Sequence, residues 1–264
     1  MKQSLIFFDI DGTLITEDNK RILPESTKKA ISLARENGHL AFINTGRVFL
    51  NLDSFIKDIG FDGYICGCGT YIRCREEILF HHKLADSLCK EIGLLARECN
   101  IYSIFEAAGH NAIDFTLKQH EVIKTLYDRF DQAGHPVTMN VDDPDFSFDK
   151  LTIWYDELSD LPRFKQGLSD SFTYIHRGKG FAEIVPKGIT KATGIAFLQD
   201  YFQIPLERCY AFGDGPNDLP MLQYVPNSIG MGNGNKSVLK QVSYITNDIL
   251  EDGIWHGLKH FQLI

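Results

Sequence analysis

Two carboxylates follow a short apolar run near the start of the chain. Residues 4–9 predict a buried strand that ends at Asp9, and Asp11 follows two positions later in the segment Asp-Ile-Asp-Gly-Thr. Because side chains in an extended chain recur with a period of two, both carboxylates can point the same way. Acids this close repel each other unless a cation or a shared proton relieves them. The pair indicates a nucleophile beside a second acid, although an Asp-Gly turn alone is common in proteins without such a role.

A second acidic segment follows an apolar strand much later in the sequence. The predicted strand over 209–213 leads into Gly-Asp-Gly-Pro-Asn-Asp, which supplies Asp214, Asn217 and Asp218. Magnesium prefers hard oxygen ligands such as carboxylates, waters and a substrate phosphate. Ordinary turn chemistry also favours these residue types, so the segment indicates a metal site only together with the first carboxylate pair.

Two further segments suit the binding of phosphate. Thr45 and Gly46 follow a predicted strand over 39–44, where a hydroxyl and backbone N–H groups can bind phosphate oxygens. Lys191 lies near a predicted helix start, where the helix dipole disfavours a cation, and a bound phosphate would explain a lysine there. Taken alone, a Thr-Gly pair is usually a helix cap and a single lysine is usually a solvated surface charge.

The order of the predicted elements brings these segments together. Strands and helices alternate up to residue 66, with one helix predicted over 48–59, and they alternate again after residue 186. This order predicts parallel strands with helical crossovers, whose carboxyl-end loops converge on one crevice. The interval between carries paired strands and helices of an α+β kind. The sequence therefore predicts an α/β fold, a Rossmann-like parallel-sheet core with an inserted α+β domain.

Composition and charge indicate which classes of binding partner are expected. The chain has 264 residues, 44% of them hydrophobic, and a formal net charge of -8. That negative charge disfavours binding to nucleic acid, which is also negatively charged. The sequence has no Lys/Arg-rich stripe with interleaved aromatic residues that would favour such binding. No apolar run approaches the roughly 20 residues that a membrane span needs, and the N-terminal run is too short for a signal peptide. We therefore expect a cytoplasmic protein with a small-molecule partner and no membrane or nucleic-acid partner.

The cysteines give a second possible metal site. Cys66, Cys68 and Cys74 lie close in sequence to His81 and His82. Their spacing is not that of a zinc knuckle, and no Cys-x-x-Cys pair follows. The six cysteines are better explained as buried, reduced thiols.

Together the motifs resemble those of the haloacid dehalogenase superfamily of phosphatases. The pairing of Asp-Ile-Asp-Gly-Thr at 9–13 with Gly-Asp-Gly-Pro-Asn-Asp at 213–218 is specific, and the resemblance spans nearly the whole chain. It is nearest to the Cof-type branch, which carries a large α+β cap (a C2-type cap) between the second and third motifs. The resemblance implies a catalytic core at 1–81 and 186–264 and a cap domain at 82–185.

The resemblance also implies a role for each site residue. Asp9 attacks phosphorus and forms an aspartyl-phosphate, while Asp11 protonates the leaving oxygen and then activates water. Magnesium is expected on Asp9, on the backbone carbonyl of Asp11 and on Asp214. Four residues are expected to bind the phosphoryl group: Thr45, Gly46, Lys191 and Asn217. Asp218 is expected to support these residues without contacting the substrate itself.

The expected function is thus the magnesium-dependent hydrolysis of a small phosphorylated metabolite, such as a sugar phosphate. Two alternatives stay open: a phosphosugar mutase and a non-catalytic protein that binds phosphometabolites. One segment departs from the branch, since Cys68-Gly69-Thr70 stands where Asn-Gly-Ala is usual. The sequence leaves the substrate, the specificity residues of the cap and the oligomeric state open.

Overall fold

The chain folds into two compact units. The computed structural model describes residues 2–117, 120–168, 170–178 and 180–264. The first unit comprises Met1–Arg47, Leu52–Phe80 and Thr190–Ile264, and the second comprises Val48–Asn51 and His81–Ile189. The predicted division into 1–81 with 186–264 and 82–185 stays a prediction, as do the roles of the two parts as catalytic core and cap.

Both units contain strands and helices. The strands are β1 (Leu5–Phe8), β2 (Leu40–Asn44), β3 (Gly63–Cys66), β4 (Tyr71–Cys74), β5 (Glu77–His81), β6 (Tyr102–Glu106), β7 (Asn111–Ile113), β8 (Val137–Asn140), β9 (Lys150–Trp154), β10 (Phe172–Gly178), β11 (Phe181–Pro186), β12 (Cys209–Gly213), β13 (Asn227–Gly230) and β14 (Tyr244–Ile245). The helices are α1 (Glu25–Glu36), α2 (Ser54–Lys57), α3 (Asp86–Glu98), α4 (Glu121–Gln132), α5 (Leu161–Leu168), α6 (Lys191–Phe202), α7 (Leu219–Tyr224), α8 (Lys236–Leu239) and α9 (Gly253–His260).

The first unit is built on an eight-stranded sheet in the order β14-β13-β12-β1-β2-β3-β4-β5. Strand β1 lies at its centre and pairs in parallel with both β12 and β2. All four residues of β1 are buried, as expected of a parallel strand covered on both faces. Phe8 lies opposite Phe212 on one neighbour and Ile43 on the other. The loops after these three strands therefore begin at the same edge of the sheet.

Apolar packing fixes the helices against both faces of this sheet. On one face, Phe7 and Phe42 stack with ring centroids 5.7 Å apart, within a core that includes Ile195 and Leu198 of α6. On the other face, Phe8 and Phe212 stack at 5.0 Å. Since aromatic side chains bury large areas, these layers hold β1 and β12 rigidly in register.

The second unit has a six-stranded sheet in the order β10-β11-β9-β6-β7-β8. Among the described residues its strand pairs are antiparallel, except for the parallel pair β7–β8. Helices α3 and α5 pack on one face over a core that includes Phe105, Leu151 and Ile184. Ile123 of α4 packs with Ile104 and Ile113, whose side chains belong to a separate core cluster. This arrangement agrees with the expected α+β insert.

Two local features differ from the sequence prediction. Instead of one helix over 48–59, the chain forms a 3-10 turn at Phe49–Asn51 and the short helix α2. Asp53 interrupts the predicted helix because it takes an extended conformation while its carboxylate binds Arg21 and Arg47. In addition, β4 pairs antiparallel with β3, so one end of the sheet is not parallel.

All six cysteines are free thiols, and all but the half-buried Cys74 are buried. Burial raises the pKa of the Cys66 and Cys209 thiols, as expected when the thiolate is desolvated. The helices of the described residues are all too short or too polar to cross a membrane.

Gly63 tests how closely β3 and β4 approach. A Cβ at this position would lie 2.4 Å from the backbone oxygen of Arg73, which cannot move aside without breaking the strand pair. We expect Gly63→Ala to lower the free energy of unfolding by about 1–3 kcal/mol in urea titrations. Gly109→Ala is the matched control, since a Cβ there has no described atom within 4 Å. Equal stabilities of the two variants would contradict the close approach.

Candidate active site

The first loop turns sharply after β1 and keeps Asp9 inside the sheet. The backbone N–H of Asp9 donates to the Phe212 carbonyl at 3.1 Å, and only 3% of the residue is exposed. Gly12 has a φ of +82°, and a Cβ on it would lie 2.3 Å from a carboxylate oxygen of Asp214. The Thr13 hydroxyl donates to the other oxygen of Asp214 at 3.1 Å. The turn therefore needs glycine and brings the two acidic segments into contact.

The loop after β12 is organised around Asp218. One oxygen of this carboxylate accepts the backbone N–H groups of Asp214 and Gly215, at 2.9 and 3.0 Å. A Cβ on Gly213 would lie 2.7 Å from the Cβ of Asp218, so the loop closes tightly. Asn217 lies half-buried in the same turn. Asp218 thus shapes the loop that presents Asp214.

Lys191 is the first residue of α6 and is buried. Its Nζ donates to Asp218 Oδ1 at 2.5 Å and also to Asp9 Oδ1. The side chain of Thr190 caps the helix by accepting the Thr193 backbone N–H, and the Lys191 carbonyl accepts from Asn44 Nδ2 at 3.0 Å. Several independent bonds therefore fix this lysine between the two acidic loops.

The loop after β2 holds Thr45 and Gly46. The Thr45 backbone N–H donates to the Ile65 carbonyl at 2.9 Å, and the Thr45 hydroxyl accepts the Arg47 backbone N–H at 3.2 Å. Since a hydroxyl also has one hydrogen to donate, Thr45 can still bind a phosphate oxygen. The parallel register of β1 and β2 starts this loop beside Asp9.

The segment Cys68-Gly69-Thr70, which departs from the expected Asn-Gly-Ala, lies next to Thr45. Cys68 has a left-handed φ of 59°, between two glycines that also have positive φ. Its backbone N–H donates to the Thr45 carbonyl at 3.0 Å, and the Gly67 N–H donates to the Arg47 carbonyl at 2.8 Å. Asparagine adopts this conformation more readily than cysteine, which gives a physical reason for the usual Asn. The loop geometry is kept here at a conformational cost.

The electrostatics of the site are dominated by buried carboxylates. Burial and the charges of Asp218, Asp214 and Asp11 raise the pKa of Asp9 well above its usual range, while Lys191 opposes the shift. Burial also raises the pKa of Asp214 to about 7, assisted by Asp218 and Glu17. For Lys191 burial lowers the pKa, but Asp218 and Asp9 outweigh it and hold the ammonium group charged. Three carboxylates thus surround one cation.

This excess of negative charge fits a divalent metal ion. Among the described residues, oxygens of Asp9, Asp214 and Asp218 lie within 4.8 Å of one another. Both oxygens of Asp218 already accept hydrogen bonds, so Asp9 and Asp214 are better placed to donate to a metal. Hard carboxylate oxygens of this kind suit magnesium. The donor set therefore fits the expected ion.

The structure brings together most of the predicted residues and adds others. Asp11 does not join the carboxylate cluster, because its side chain binds Arg47, with Nε to Oδ2 at 2.8 Å. Sequence reasoning assigned no role to Arg47, which directly follows the predicted phosphate-binding pair Thr45-Gly46, or to Asp53. Asn233 also contacts the first loop, because its Nδ2 donates to the Gly12 carbonyl at 2.7 Å. The catalytic, phosphate-binding and metal-binding roles stay predictions.

The loops at the carboxyl ends of the central parallel strands carry the acidic residues and the bound lysine, which is the position at which open α/β sheets bind their ligands. The chain belongs to the family of haloacid dehalogenase-like hydrolases, whose model matches residues 6–258. This finding confirms the predicted superfamily.

Proteins that match over nearly their whole length agree with this family assignment. The chain is 26% identical to YkrA of Bacillus subtilis strain 168, named as a candidate phosphatase, over 100% of both chains. It is 25% identical to 5-amino-6-(5-phospho-D-ribitylamino)uracil phosphatase YitU of the same strain, over 98% of both. The solved structure of the subclass IIB sugar phosphatase BT4131 matches with a TM-score of 0.82 and 27% identity, covering 99% of this chain and 100% of the other. The predicted fold and the predicted enzyme class, a phosphatase, are confirmed.

Lys191→Met tests the buried ion cluster. Replacing the ammonium group with an apolar chain of similar length leaves Asp9 and Asp218 without their counter-charge. We expect a loss of about 3–5 kcal/mol in the free energy of unfolding at neutral pH. The exposed Lys187→Met is the control and should cost less than about 0.5 kcal/mol. A loss at Lys191 no larger than at Lys187 would show that the cluster is not held by this charge.

Asp214 gives a prediction for pH and metal. Its folded pKa of about 7 exceeds the ordinary value of 3.8, so between these values the folded chain holds a proton that the unfolded chain has released. Without divalent metal, this group therefore makes stability fall as the pH rises through that window. Thermal unfolding in chelator should show a shallower fall for Asp214→Asn than for the parent, and magnesium should protect the parent most near neutral pH. Identical pH profiles of parent and variant would contradict the assignment.

Proposed function

We propose that the protein is a magnesium-dependent phosphomonoester hydrolase that acts on a small phosphorylated metabolite through an aspartyl-phosphate on Asp9. The observation that carries this proposal is the placement of Asp9 at the buried end of β1, bound by Lys191 and adjoining Asp214 and Asp218. Phosphoryl transfer requires a nucleophile and positive charge near the phosphoryl group. Asp9 can supply the nucleophile, while Lys191 and a divalent metal ion held by the carboxylates would supply the positive charge.

In the first step, an Asp9 oxygen attacks phosphorus and the bond from phosphorus to the leaving oxygen breaks. Asp11 gives its proton to that oxygen, so the product leaves as a neutral alcohol. Lys191 holds Asp9 Oδ1 and thereby fixes the orientation of the attacking carboxylate. The Thr45 hydroxyl, the Gly46 backbone and Asn217 are proposed to bind the phosphoryl oxygens.

In the second step, water attacks the phosphorus of the aspartyl-phosphate and gives a proton to Asp11. The bond between phosphorus and the Asp9 oxygen breaks, which releases inorganic phosphate and restores the carboxylate. Lys191 can neutralise negative charge on the phosphoryl group in both steps. Asp9, Asp214 and the Asp11 backbone carbonyl would hold magnesium, which supplies charge neutralisation and orientation when bound.

The substrate class rests on relatives. YitU is named for a substrate whose phosphate lies on a ribityl chain, and BT4131 is a sugar phosphatase. Both names describe phosphate on a polyhydroxylated carbon chain. We propose a phosphorylated sugar or polyol derivative for this protein, and we assign the second unit as the cap that selects it. The cytoplasmic location expected from the sequence also stays a prediction.

Phosphate release from a panel of phosphorylated metabolites, with magnesium or chelator, tests the function. We expect magnesium-dependent release by the parent and a loss on the order of 1000-fold or more in Asp9→Asn, which removes the nucleophile. Asp18→Asn is the control, because it makes the same change on an exposed loop residue outside the site.

Three outcomes would contradict the proposal. Release by Asp9→Asn near the parent rate removes Asp9 from the nucleophilic role. Transfer of phosphate to an added sugar in preference to water favours a mutase. Binding of a phosphometabolite without turnover by the parent favours a non-catalytic protein.

A further inference from the structure

Asp11, Arg47, Asp53 and Arg21 form a chain of alternating charges in the first unit. The Arg47 guanidinium binds both oxygens of Asp11, through Nε to Oδ2 at 2.8 Å and through Nη2 to Oδ1. Its third nitrogen, Nη1, donates to Asp53 Oδ2 at 2.8 Å. Asp53 in turn binds Arg21 through both oxygens, at 3.1 and 2.5 Å.

Arg47 is held by three contacts besides those with Asp11. Its backbone N–H donates to the Thr45 hydroxyl, and its carbonyl accepts the Gly67 N–H at 2.8 Å. Asp53, which holds the far side of the guanidinium, has a side chain only 12% exposed and stands directly before α2. Because the guanidinium is planar and its donors form a rigid fork, this anchoring fixes the plane in which a carboxylate can bind.

Burial does not fix the orientation of the Asp11 side chain, so a fixed orientation requires a hydrogen-bonding partner. Its side chain is 40% exposed, whereas that of Asp9, two positions earlier, is 4% exposed. An exposed aspartate samples several rotamers, and a general acid must lie within hydrogen-bond reach of the leaving oxygen. A carboxylate oxygen that accepts one bond from arginine still has a second lone-pair position that can face the substrate.

We propose that Arg47 is a positioning residue that holds the Asp11 carboxylate in the orientation for proton transfer to the leaving oxygen. This inference rests on the proposed function, in which Asp11 is the general acid. The effect of Arg47 on the rate is therefore expected to depend on the leaving group. Asp53 is assigned the role of holding Arg47.

Two other roles for Arg47 make different predictions. An arginine that binds the phosphate group would affect all phosphate esters alike, because they share that group. An arginine that only supports the fold would lower stability and would also affect all esters alike. Only a residue that positions the general acid matters more for a poor leaving group than for a good one.

The experiment compares phenyl phosphate with 4-nitrophenyl phosphate, which differ little in size but greatly in leaving ability. The nitrophenolate departs without a proton, whereas the phenolate needs one. The quantity measured is kcat/KM, which reports on the steps up to the first release of the alcohol. The variants are Arg47→Gln, Arg47→Lys, Asp11→Asn and Arg21→Gln, each with its unfolding temperature measured alongside.

We expect the ratio of kcat/KM for the nitrophenyl ester to that for the phenyl ester to rise on the order of tenfold or more in Arg47→Gln. Arg47→Lys keeps the charge but cannot form the fork, and it should raise the ratio by less. Arg21→Gln removes a charge from the same chain without touching Asp11, so it should leave the ratio unchanged.

Each remaining outcome has one meaning. A ratio that stays at the parent value in Arg47→Gln but rises in Asp11→Asn overturns the positioning role and leaves the proposed function intact. A ratio unchanged in both variants removes Asp11 from the role of general acid. Absence of release from every phosphate ester by the parent contradicts the proposed function itself and, with it, this inference.

Discussion

The buried contact between Lys191 and two aspartates is the interaction on which the candidate site depends. A lysine that is 1% exposed is costly to desolvate unless carboxylates offset its charge, and here Asp9 and Asp218 do so. The contact joins the end of β1, the start of α6 and the loop after β12. Each of these elements is separately fixed by strand pairing or capping. The charge balance therefore sets the geometry of the nucleophile as well as its ionisation.

Two aspartates separated by one residue occupy opposite environments. Asp9 is buried, bound by lysine and close to other acids, whereas the Asp11 side chain is 40% exposed and bound by arginine. Enzymes that need two carboxyl groups with different tasks commonly separate them by environment in this way. The separation follows from the tight turn at Gly12, since the backbone reverses directly after Asp11. Two residue positions thus give two chemically different acids.

Much of this arrangement could be predicted from the sequence because it depends on local patterns. Short apolar runs ending in Asp9 and before Asp214 marked the central strands, and the parallel order followed from the alternation of strands and helices. The contacts of Arg47 could not be predicted, since its partners Asp11 and Asp53 are joined only by tertiary folding. The interrupted helix near Asp53 was missed for the same reason: ion pairs with distant arginines outweighed local helix propensity.

The central position of β1 has a consequence for the way the protein is made. This strand leaves the ribosome long before its neighbour β12, which begins at residue 209, and before Lys191, whose Nζ binds Asp9. Synthesis at about 5–20 residues per second places many seconds between these events. During that interval one edge of β1 has no strand beside it and Asp9 has no counter-charge. The candidate site is therefore incomplete during synthesis until β12 emerges, and one edge of the apolar strand β1 stays unpaired until then.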